Sequence, residues 1–224
     1  MDISIIVPAL NESLNIVNTL KQLQPLRQRG HKILLADGGS TDDTVHLAMP
    51  FIDEVIISKK GRAIQMNCAA LKAKTDILWF LHADTLIPKN ADHLICDGLS
   101  DPVDIWGRFN INLTGRHFLF RIIERMINLR SKISGIATGD QGIFIRREHF
   151  EKLNGFSEIP LMEDIEICKR LKKISPPVCL TQQLTTSSRR WEENGIIKTV
   201  FLMWQLRLAY FFGISTIKLA RKYT

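Results

Sequence analysis

The sequence predicts a three-layer α/β/α fold, in which helices cover both faces of a mainly parallel central sheet. Short β-branched or apolar runs bounded by turn-forming residues predict buried strands at residues 3–7, 32–36, 54–57 and 77–81. Helical patterns lie between these runs, at residues 12–26, 41–48 and 62–73. Because strands that alternate with helices form parallel sheets, we expect a ligand to bind beyond the carboxyl ends of the strands.

Apolar stripes that would face the sheet are the evidence for the two longer predicted helices. The stripes of the first and third helices consist of Leu14, Val17, Leu20 and Leu23, and of Ile64, Met66, Ala70 and Leu71. Before the short second helix, Ser40 and Asp43 fit a capping box. A further helix is predicted to begin at the MEDIE segment, since apolar residues recur on one face after it.

Length and composition favour a single domain over residues 1–224. A chain of 224 residues with 45% apolar content can bury one substantial core. The acidic Asp2 and the very short apolar run that follows it are unlike a signal peptide. The cysteines show no CxxC spacing, which argues against a disulfide framework and a zinc knuckle; they are Cys68, Cys96, Cys168 and Cys179. We therefore expect a cytoplasmic protein.

Charge is unevenly distributed along the chain. Residues 1–110 carry 11 Lys and Arg against 13 Asp and Glu, whereas residues 111–224 carry 19 against 10. The basic half is expected to face an anionic partner, either a phosphorylated substrate or the cytoplasmic face of a membrane. Nucleic acid is not expected, because no zinc-finger or aromatic RNP pattern accompanies the charge. A solvated basic face is the alternative.

The segment DGGSTDDT follows the second predicted strand and places Asp37 at its tip. A carboxylate there can accept hydrogen bonds from a nucleobase or from ribose hydroxyls. Asp is also a common turn residue, so organisation of the glycine-rich turn is the alternative for Asp37. Asp42 and Asp43 are assigned to that structural role.

The segment HAD ends the most apolar predicted strand and presents Asp84 from a rigid support. A divalent cation prefers hard oxygen ligands and can take the others from a diphosphate and water, so one or two protein ligands suffice. We predict Asp84 as the metal ligand. For His82, a structural hydrogen bond is favoured over ligation.

Two segments beside the strand ends fit a nucleotide. In PALNE, Asn11 and Glu12 follow the first strand, where they cap the next helix or face Asp37. In KKGRAIQMN, Gly61 and Arg62 begin the third helix, where free N–H groups and a guanidinium suit a phosphate or a base carbonyl. A solvated first-turn charge is the alternative for Arg62.

A third acidic cluster consists of Glu163, Asp164 and Glu166 in the first turn of a predicted helix. The helix dipole favours negative charge there, which is the structural explanation. Adjacent acids on a helix point about 100° apart. Only one of Glu163 and Asp164 is therefore expected to face a cleft, where it would act as a general base. Upstream, Asp140 and Gln141 in GDQG suit a sugar-side or acceptor-side rim.

Together these motifs resemble the inverting glycosyltransferases of family 2. PALNE, DGGSTDDT, HAD, GDQGIFIRR and MEDIE occur in the order of that family, and the GRAIQMN and RRW segments resemble its small bacterial and cyanobacterial branch. The resemblance spans nearly residues 3–191. It implies a GT-A nucleotide-diphospho-sugar transferase fold, a UDP-type donor, and Mg²⁺ or Mn²⁺ as cofactor. About residues 1–110 would then bind the nucleotide-sugar, and residues 111–224 would form the acceptor side.

The resemblance also implies roles for individual residues. Asp37 would hold the base or ribose, Asp84 would coordinate the metal as the last acid of a DxD-like motif, and Asp164 would be the catalytic base. Arg62 would help to neutralise the leaving diphosphate while Asp164 deprotonates an acceptor hydroxyl, with inversion at the anomeric carbon. The expected nucleotide-sugar site comprises Pro8, Leu10, Glu12, Asp37, Gly61, Arg62, Asn67, His82, Ala83, Asp84, Asp140, Gln141 and Glu163, and the expected acceptor side Arg190 and Trp191.

Three positions depart from the family pattern. Gly38 stands where the family usually has a second acid, and His82 replaces the first acid of the DxD motif. In SSRRW, only Arg190 and Trp191 match the QxxRW motif of processive synthases, with Ser187 at the glutamine position. We therefore expect a non-processive enzyme.

Two apolar segments of the basic half bear on the acceptor. Residues 117–133 interleave apolar side chains with three arginines, as in a basic amphipathic helix. Residues 196–214 are apolar and aromatic, but two basic residues and a glutamine interrupt them too often for a membrane-spanning helix. Peripheral membrane contact with a lipid-linked acceptor is one interpretation, and packing against the sheet is the other.

Motifs of two other enzyme classes are missing from the sequence. The first strand runs into PALNE rather than G-x-G-x-x-G, which disfavours a nicotinamide dehydrogenase, and there is no GKS or GKT of a P-loop NTPase. The alternatives left open are a sugar-phosphate nucleotidyltransferase and a non-catalytic nucleotide-sugar binding module at a membrane surface.

Overall fold

A seven-stranded sheet forms the centre of the computed structural model, which describes residues 1–223 apart from the side chain of Arg190. Its strands are β1 (Ile3–Ala9), β2 (Lys32–Asp37), β3 (Glu54–Ile57), β4 (Ile77–Phe80), β5 (Trp106–Leu113), β6 (Phe144–Arg146) and β7 (Val178–Thr186). The order across the sheet is β3-β2-β1-β4-β6-β5-β7. Only β6 runs antiparallel to its neighbours, so the prediction of a mainly parallel sheet is confirmed.

Helices pack on both faces of this sheet. They are α1 (Ile16–Gln28), α2 (Thr44–Ala48), α3 (Arg62–Lys72), α4 (Ala91–Gly98), α5 (Phe118–Ser134), α6 (Arg147–Lys152), α7 (Glu163–Leu171), α8 (Arg189–Asn194), α9 (Ile196–Phe211) and α10 (Thr216–Tyr223). Short 3-10 turns are formed by Met49–Phe51 and Gly139–Gln141. Among the residues described, no helix is both long enough and apolar enough to cross a membrane.

The alternation of side chains along β1 divides the core into two layers. Ile5 and Val7 pack in one apolar cluster with Leu20 of α1, whereas Ile6 packs in the other with Met66 of α3. Successive side chains of a strand point to opposite faces, so a fully apolar strand can serve both clusters at once. The three-layer arrangement follows from this two-sided burial.

Two predicted positions of the helical stripes are wrong. Leu14 is 83% exposed, because α1 begins only after a turn in which the N–H groups of Asn15 and Ile16 donate to the carbonyl of Glu12. Leu71 is 84% exposed, because α3 turns its small residues toward the sheet instead. The other residues of each predicted stripe are at least partly buried.

The capping box predicted for Ser40 and Asp43 is also wrong. The hydroxyl of Ser40 donates to Asp37 at 2.5 Å, and Asp42 binds the start of α2 through the N–H and hydroxyl of Thr44. Asp42 also accepts from the N–H of Ser13 at 3.2 Å. The hydrogen bond from the Thr44 hydroxyl, together with those from Ser13, lowers the pKa of Asp42 to about 2.

The three strands β6, β5 and β7 extend the sheet toward the C-terminal helices. Helix α5 lies along β5, where the Asn128 side chain accepts from the N–H of Ile111 at 2.8 Å and donates to its carbonyl at 3.0 Å. Helices α9 and α10 pack through Leu206 and Leu219 against Met162 and Ile165 at the start of α7. This packing places the C-terminal helices beside the strand ends.

Candidate functional site

A cavity opens at the carboxyl ends of β1 and β4, beside the end of β2. Ala9 and Asp37 stand in register at the ends of β1 and β2, and the HAD segment follows β4. The cavity has a volume of about 340 Å³, which lies within the range of about 300–1,000 Å³ of small-molecule sites. Its position is the one expected for a ligand site of a parallel sheet.

Ten of the predicted site residues line this cavity, although they come from six separate segments of the chain. They are Pro8, Glu12, Arg62, His82, Ala83, Asp84, Asp140, Glu163, Asp164 and Trp191. Five of the ten are carboxylates on strand-end loops, the 3-10 turn or a helix start, and one is a half-exposed guanidinium. The structure thus brings the acids of the HAD, GDQG and MEDIE segments together.

Asp37 lies beside the cavity but does not line it. Its side chain is 2% exposed, and its carboxylate accepts hydrogen bonds from the N–H groups of Gly39 at 2.8 Å and Ser40 at 2.9 Å. Gly39 has a φ of +88°, so the turn depends on glycine there. In this structure Asp37 therefore organises the turn, which is the alternative that its sequence context left open.

Asn67 and Gln141 also stand outside the cavity wall, and both hold backbone segments together. The Asn67 side chain bonds the N–H of Phe156 at 2.9 Å and its carbonyl at 2.8 Å, which ties α3 to the loop before α7. Gln141 is fully buried, accepts from the N–H of Thr138 at 3.1 Å and donates to the carbonyl of Phe109 at 3.3 Å. Both side chains have their hydrogen-bonding capacity committed to the backbone.

Three other predicted site residues are not among the described residues that line the cavity. Leu10 and Gly61 are not part of its wall. Gly61 has a φ of +145° and precedes α3, so its role is to turn the chain into that helix. The side chain of Arg190 lies outside the described part of the chain.

Asp84 is the acidic residue of the cavity whose carboxylate is most available to a ligand. It stands in the loop after β4 and is half-buried at the wall. Within the described part of the chain, its carboxylate takes part in no hydrogen bond or ion pair. A hard anionic oxygen facing an open cavity in this way suits a divalent cation.

No complete metal site is preformed around Asp84. Among the residues that the structure describes, no three His, Cys, Asp or Glu side chains come together as a ligand set. His82, the nearest candidate in sequence, has its Nδ1 atom 3.0 Å from Oδ1 of Asp140. A cation held here would therefore take most of its ligands from a bound molecule and from water.

Glu163 and Asp164 both line the cavity, so the expectation that only one of them would face it is wrong. They are the first two residues of α7, and the chain enters the helix through Met162 in the left-handed region, at φ +71°. Side chains in the first turn of a helix lean back toward its N-terminus. Two adjacent acids can thus reach one cleft beyond the helix end.

Hydrogen bonds hold Asp164 in place. Its Oδ2 accepts from the N–H of Gly139 at 2.9 Å, and its Oδ1 accepts from the N–H of Ile165 at 2.7 Å. Burial, with the charge of Asp140, raises the pKa of Asp164 above its ordinary value, although these two hydrogen bonds and the charge of Arg62 act to lower it. The result is an oriented carboxyl group with a raised pKa, which suits a general base.

Glu163 is the more enclosed of the two acids, at 4% exposure. Burial and the neighbouring charge of Asp164 raise its pKa, whereas Arg62 lowers it. The Nη1 atom of Arg62 lies 3.7 Å from Oε1 of Glu163, and half of the Arg62 side chain is exposed. Arg62 therefore bridges the buried acids and the open part of the cavity.

Gly139 occupies a position that has no room for a side chain. A Cβ atom there would lie 2.6 Å from Nε2 of His82. The same residue donates its N–H to Asp164 and begins the 3-10 turn that carries Asp140. Glycine at this position lets the backbone approach His82 closely.

The apolar wall of the cavity carries no sequence motif, and it was not predicted. It comprises Ile123, Met126 and Ile127 of α5, Leu161 and Met162 before α7, and Val200, Met203, Trp204 and Leu206 of α9. The only signal in the sequence was the apolar character of residues 117–133 and 196–214, which fits packing against the sheet equally well. The cavity thus joins a charged end to an apolar end.

Comparison with known proteins gives one family match. The model of glycosyl transferase family 2 matches residues 4–153 of the chain. That span covers β1 to β6, with the loops that carry Asp37, Asp84 and Asp140. No curated protein matches the chain.

Several solved structures share the fold at low sequence identity. S. aureus TarS 1-349 in complex with UDP has a TM-score of 0.67 at 18% identity, over 84% of this chain and 60% of that one. A mannosyltransferase from Pyrobaculum calidifontis in complex with GDP-Man and Mn²⁺ has a TM-score of 0.65 at 19% identity, over 92% and 60%. Glucosyl-3-phosphoglycerate synthase from Mycobacterium tuberculosis, in complex with Mn²⁺, UDP and glucosyl-3-phosphoglycerate, has a TM-score of 0.60 at 16% identity, over 82% and 70%.

These likenesses confirm the α/β fold of the GT-A type. The chain spans 60% of the length of TarS 1-349.

Proposed function

Because the chain belongs to glycosyl transferase family 2, we propose that its cavity transfers a sugar from a nucleotide-diphospho-sugar to an acceptor hydroxyl, with inversion. The single observation that carries this proposal is the meeting of Asp84, Arg62 and Asp164 in one cavity. They supply a free carboxylate, a cation and an oriented base. About residues 1–110 would form most of the donor side and residues 111–224 the acceptor side.

The donor side is proposed to centre on Asp84 and Arg62. The Asp84 carboxylate fits Mg²⁺ or Mn²⁺, since it is unpaired within the described part of the chain and faces the cavity. When bound, such a cation would stabilise negative charge on the leaving diphosphate. Arg62 is half-exposed at the same wall, so its guanidinium can contact phosphate oxygens directly.

The acceptor hydroxyl is proposed to lose its proton to Asp164. The two backbone N–H groups that bind its carboxylate fix its direction, and its raised pKa makes it a stronger base than an ordinary aspartate. Glu163 is held 3.7 Å from Arg62, and the charge of Asp164 helps to raise its pKa. General base catalysis of this kind typically contributes about 10²–10⁴-fold to the rate.

The nucleotide of the donor is proposed to be UDP or a related diphosphate. Among the structures that share the fold, TarS binds UDP and UDP-GlcNAc, and the mannosyltransferase binds GDP-Man. The base would lie near Pro8 and Glu12, which line the cavity at the end of β1. Since the Asp37 carboxylate is committed to its turn, we assign it an indirect role, in which it shapes the loop beside the base.

The acceptor is proposed to carry an apolar, lipid-like part. The apolar wall built by α5 and α9 lies in the same cavity as Asp164, and Trp191 stands at its side. A sugar or polyol acceptor alone would leave this wall in contact with water, at a cost of about 25 cal/mol per Å² of apolar surface. An enzyme acting on such an acceptor would work at the cytoplasmic face of a membrane, and it would add single sugars rather than polymerise them.

Screening a panel of nucleotide-sugars by thermal shift tests this function. Ligands that prefer the folded state raise the melting temperature, so one UDP- or GDP-sugar with Mn²⁺ should stabilise the protein above all others. The same nucleotide-sugar should be hydrolysed slowly without acceptor. A sugar-phosphate nucleotidyltransferase would instead form a nucleotide-sugar from a nucleoside triphosphate and a sugar phosphate. A pure binding module would show the thermal shift without any hydrolysis.

A further inference from the structure

Exposed apolar side chains are concentrated in the C-terminal part of the molecule. Among the described residues, 22 large apolar side chains are exposed, and 13 of them lie on α5 and in the segment from α9 to α10. Scattered exposed apolar residues are normal, but a contiguous set marks a surface that binds something. What covers this set can be inferred from its geometry and its charge.

On α5 and α9 these residues follow helical spacing. Steps of three and four residues place them on one outer stripe of each helix, opposite the side that packs inward. We call the two stripes together the α5–α9 surface; it consists of Phe118, Ile122, Met126, Leu129 and Ile133 on α5, and Ile197, Phe201, Trp204, Leu208 and Phe211 on α9.

The two helices are neighbours, and the cavity lies between them. The inner face of α5, with Phe120 and Ile123, packs in one cluster with Val200 of α9. Met126 and Trp204 belong to the α5–α9 surface and also line the cavity. The apolar end of the cavity is therefore continuous with the exposed stripes.

The exposed charged side chains of α5, α9 and α10 are all basic. Residues 195–224 contain five Lys and Arg and no Asp or Glu. On α5, Arg125 and Lys132 are exposed beside the stripe, whereas the helix's one acid, Glu124, is buried and accepts from the N–H of Leu113. An apolar stripe edged by basic residues is complementary to an anionic, amphiphilic surface.

We propose that the α5–α9 surface docks on an anionic lipid bilayer, with both helices lying in the headgroup region and the cavity opening onto the membrane. Resting on the proposed function, this geometry lets the lipid part of an acceptor enter between Met126 and Trp204 while its hydroxyl reaches Asp164. Helix α9 has 16 residues and is about 24 Å long, short of the roughly 30 Å hydrocarbon core. The helix therefore lies on the membrane.

A second copy of the chain is a poorer partner for the same surface. A symmetric dimer places the same patch on both sides of the interface. Basic residues such as Arg125, Lys132 and Lys198 would then face one another across an apolar contact, which electrostatics disfavours. An anionic bilayer can bury the apolar stripes and attract the basic residues beside them at the same time.

Vesicle co-sedimentation tests the docking. The probe is phosphatidylcholine vesicles with about one third phosphatidylglycerol, compared with pure phosphatidylcholine. A triple variant, Phe201→Gln with Leu208→Gln and Phe211→Gln, should bind the anionic vesicles at least about tenfold more weakly than wild type, because three side chains no longer enter the bilayer. Leu14→Gln with Leu71→Gln, at two even more exposed apolar positions outside α5 and α9, is the control and should bind like wild type.

A charge variant tests the anionic part of the proposal separately. Arg125→Gln with Lys132→Gln should weaken binding to anionic vesicles about thirtyfold, since each basic residue near such a surface contributes about 1 kcal/mol, and should leave the remaining binding less sensitive to salt. Equal binding of wild type to both vesicle types would overturn the proposal. So would a wild-type dimer that ignores vesicles and that the triple variant converts to monomer.

The docking result is independent of the proposed chemistry. None of the substituted residues lines the cavity, so nucleotide-sugar hydrolysis and donor-induced stabilisation should be unchanged in both multiple variants. Loss of vesicle binding with intact hydrolysis supports docking. Absence of hydrolysis in wild type, with vesicle binding intact, would instead count against the glycosyl transfer and leave the docking surface standing.

Discussion

The carboxylate of Asp164 accepts a hydrogen bond of 2.9 Å from the backbone N–H of Gly139. This contact joins the start of α7 to the 3-10 turn that begins at Gly139, 25 residues earlier in the chain, and that also carries Asp140. It fixes the proposed base against a second element of the cavity rather than leaving it on a free helix end. Several predictions of activity depend on that orientation.

Replacing Asp164 by Asn should lower kcat by about 10²–10⁴-fold, because an amide cannot accept the proton of the acceptor. Donor affinity should stay close to that of wild type, since the proposed donor contacts are made by other residues. Steady-state kinetics of nucleotide-sugar turnover, with donor binding measured by calorimetry, separates the two effects. Asp43→Asn, an exposed acid at the start of α2, is the control. Normal turnover by the Asp164 variant would remove it as the base.

The acidic limb of the activity profile should lie above the ordinary pKa of an aspartate, about 3.9. Burial raises the pKa of Asp164, and activity requires its deprotonated form, so activity falls as the pH drops through that raised value. Arg62→Ala removes a positive charge that lowers the pKa of Asp164 and Glu163, which should move the limb of kcat/KM to still higher pH. Lys60→Ala, two residues away and exposed, should leave the limb in place. A shift to lower pH in Arg62→Ala would contradict this electrostatic account.

Glu163→Gln should raise the melting temperature in mildly alkaline solution. The folded-state pKa of Glu163 lies above its unfolded value, so the folded protein gains stability from its proton at low pH and loses it as the pH rises through the folded pKa. Gln removes that loss. Scanning calorimetry at about pH 8 and about pH 4 should show a stabilised variant at the higher pH and little difference at the lower. Glu158→Gln, at an exposed site, should show neither effect.

Gly139→Ala should impair activity through His82. The new Cβ would lie 2.6 Å from Nε2 of His82, so the ring or the turn must move, and with it the contact between His82 and Asp140. The double variant with His82→Ala removes the obstacle, so the two substitutions should cost less together than the sum of their separate costs. Melting temperatures and turnover measured for all four proteins give the coupling. Strict additivity would show that the close approach has no energetic effect.

The first half of the fold could be predicted because its strands are buried on both faces. Such strands are continuous apolar runs, and glycine, proline and acidic residues mark their ends. The ladder of β5 and β7 was not predicted, since Trp106–Leu113 and Val178–Thr186 mix polar with apolar residues and only two residues of β7 are buried. Their pairing is also distant in sequence, which local patterns do not show.

The candidate site could be predicted where a single loop carries the reactive side chain. It could not be predicted where contacts between distant segments determine what a side chain does. Asp84 and Asp164 line the cavity, as their places at a strand end and a helix start suggested. The turn around Asp37 offered two roles, and only the hydrogen bonds of Gly39 and Ser40 distinguish them. No sequence motif marks the apolar residues of α9 that line the cavity. Helices that pack against a sheet and helices that line an apolar cavity use the same residue types, so the sequence does not distinguish the two.

Calorimetric titration of UDP in the presence and absence of Mn²⁺, for wild type and Asp84→Ala, tests the central claim most directly. The account predicts tight binding by wild type only with the ion, and a loss of that ion-dependent affinity in Asp84→Ala. Equal ion-dependent affinity in the two proteins would contradict the placement of a cation-assisted nucleotide site at Asp84.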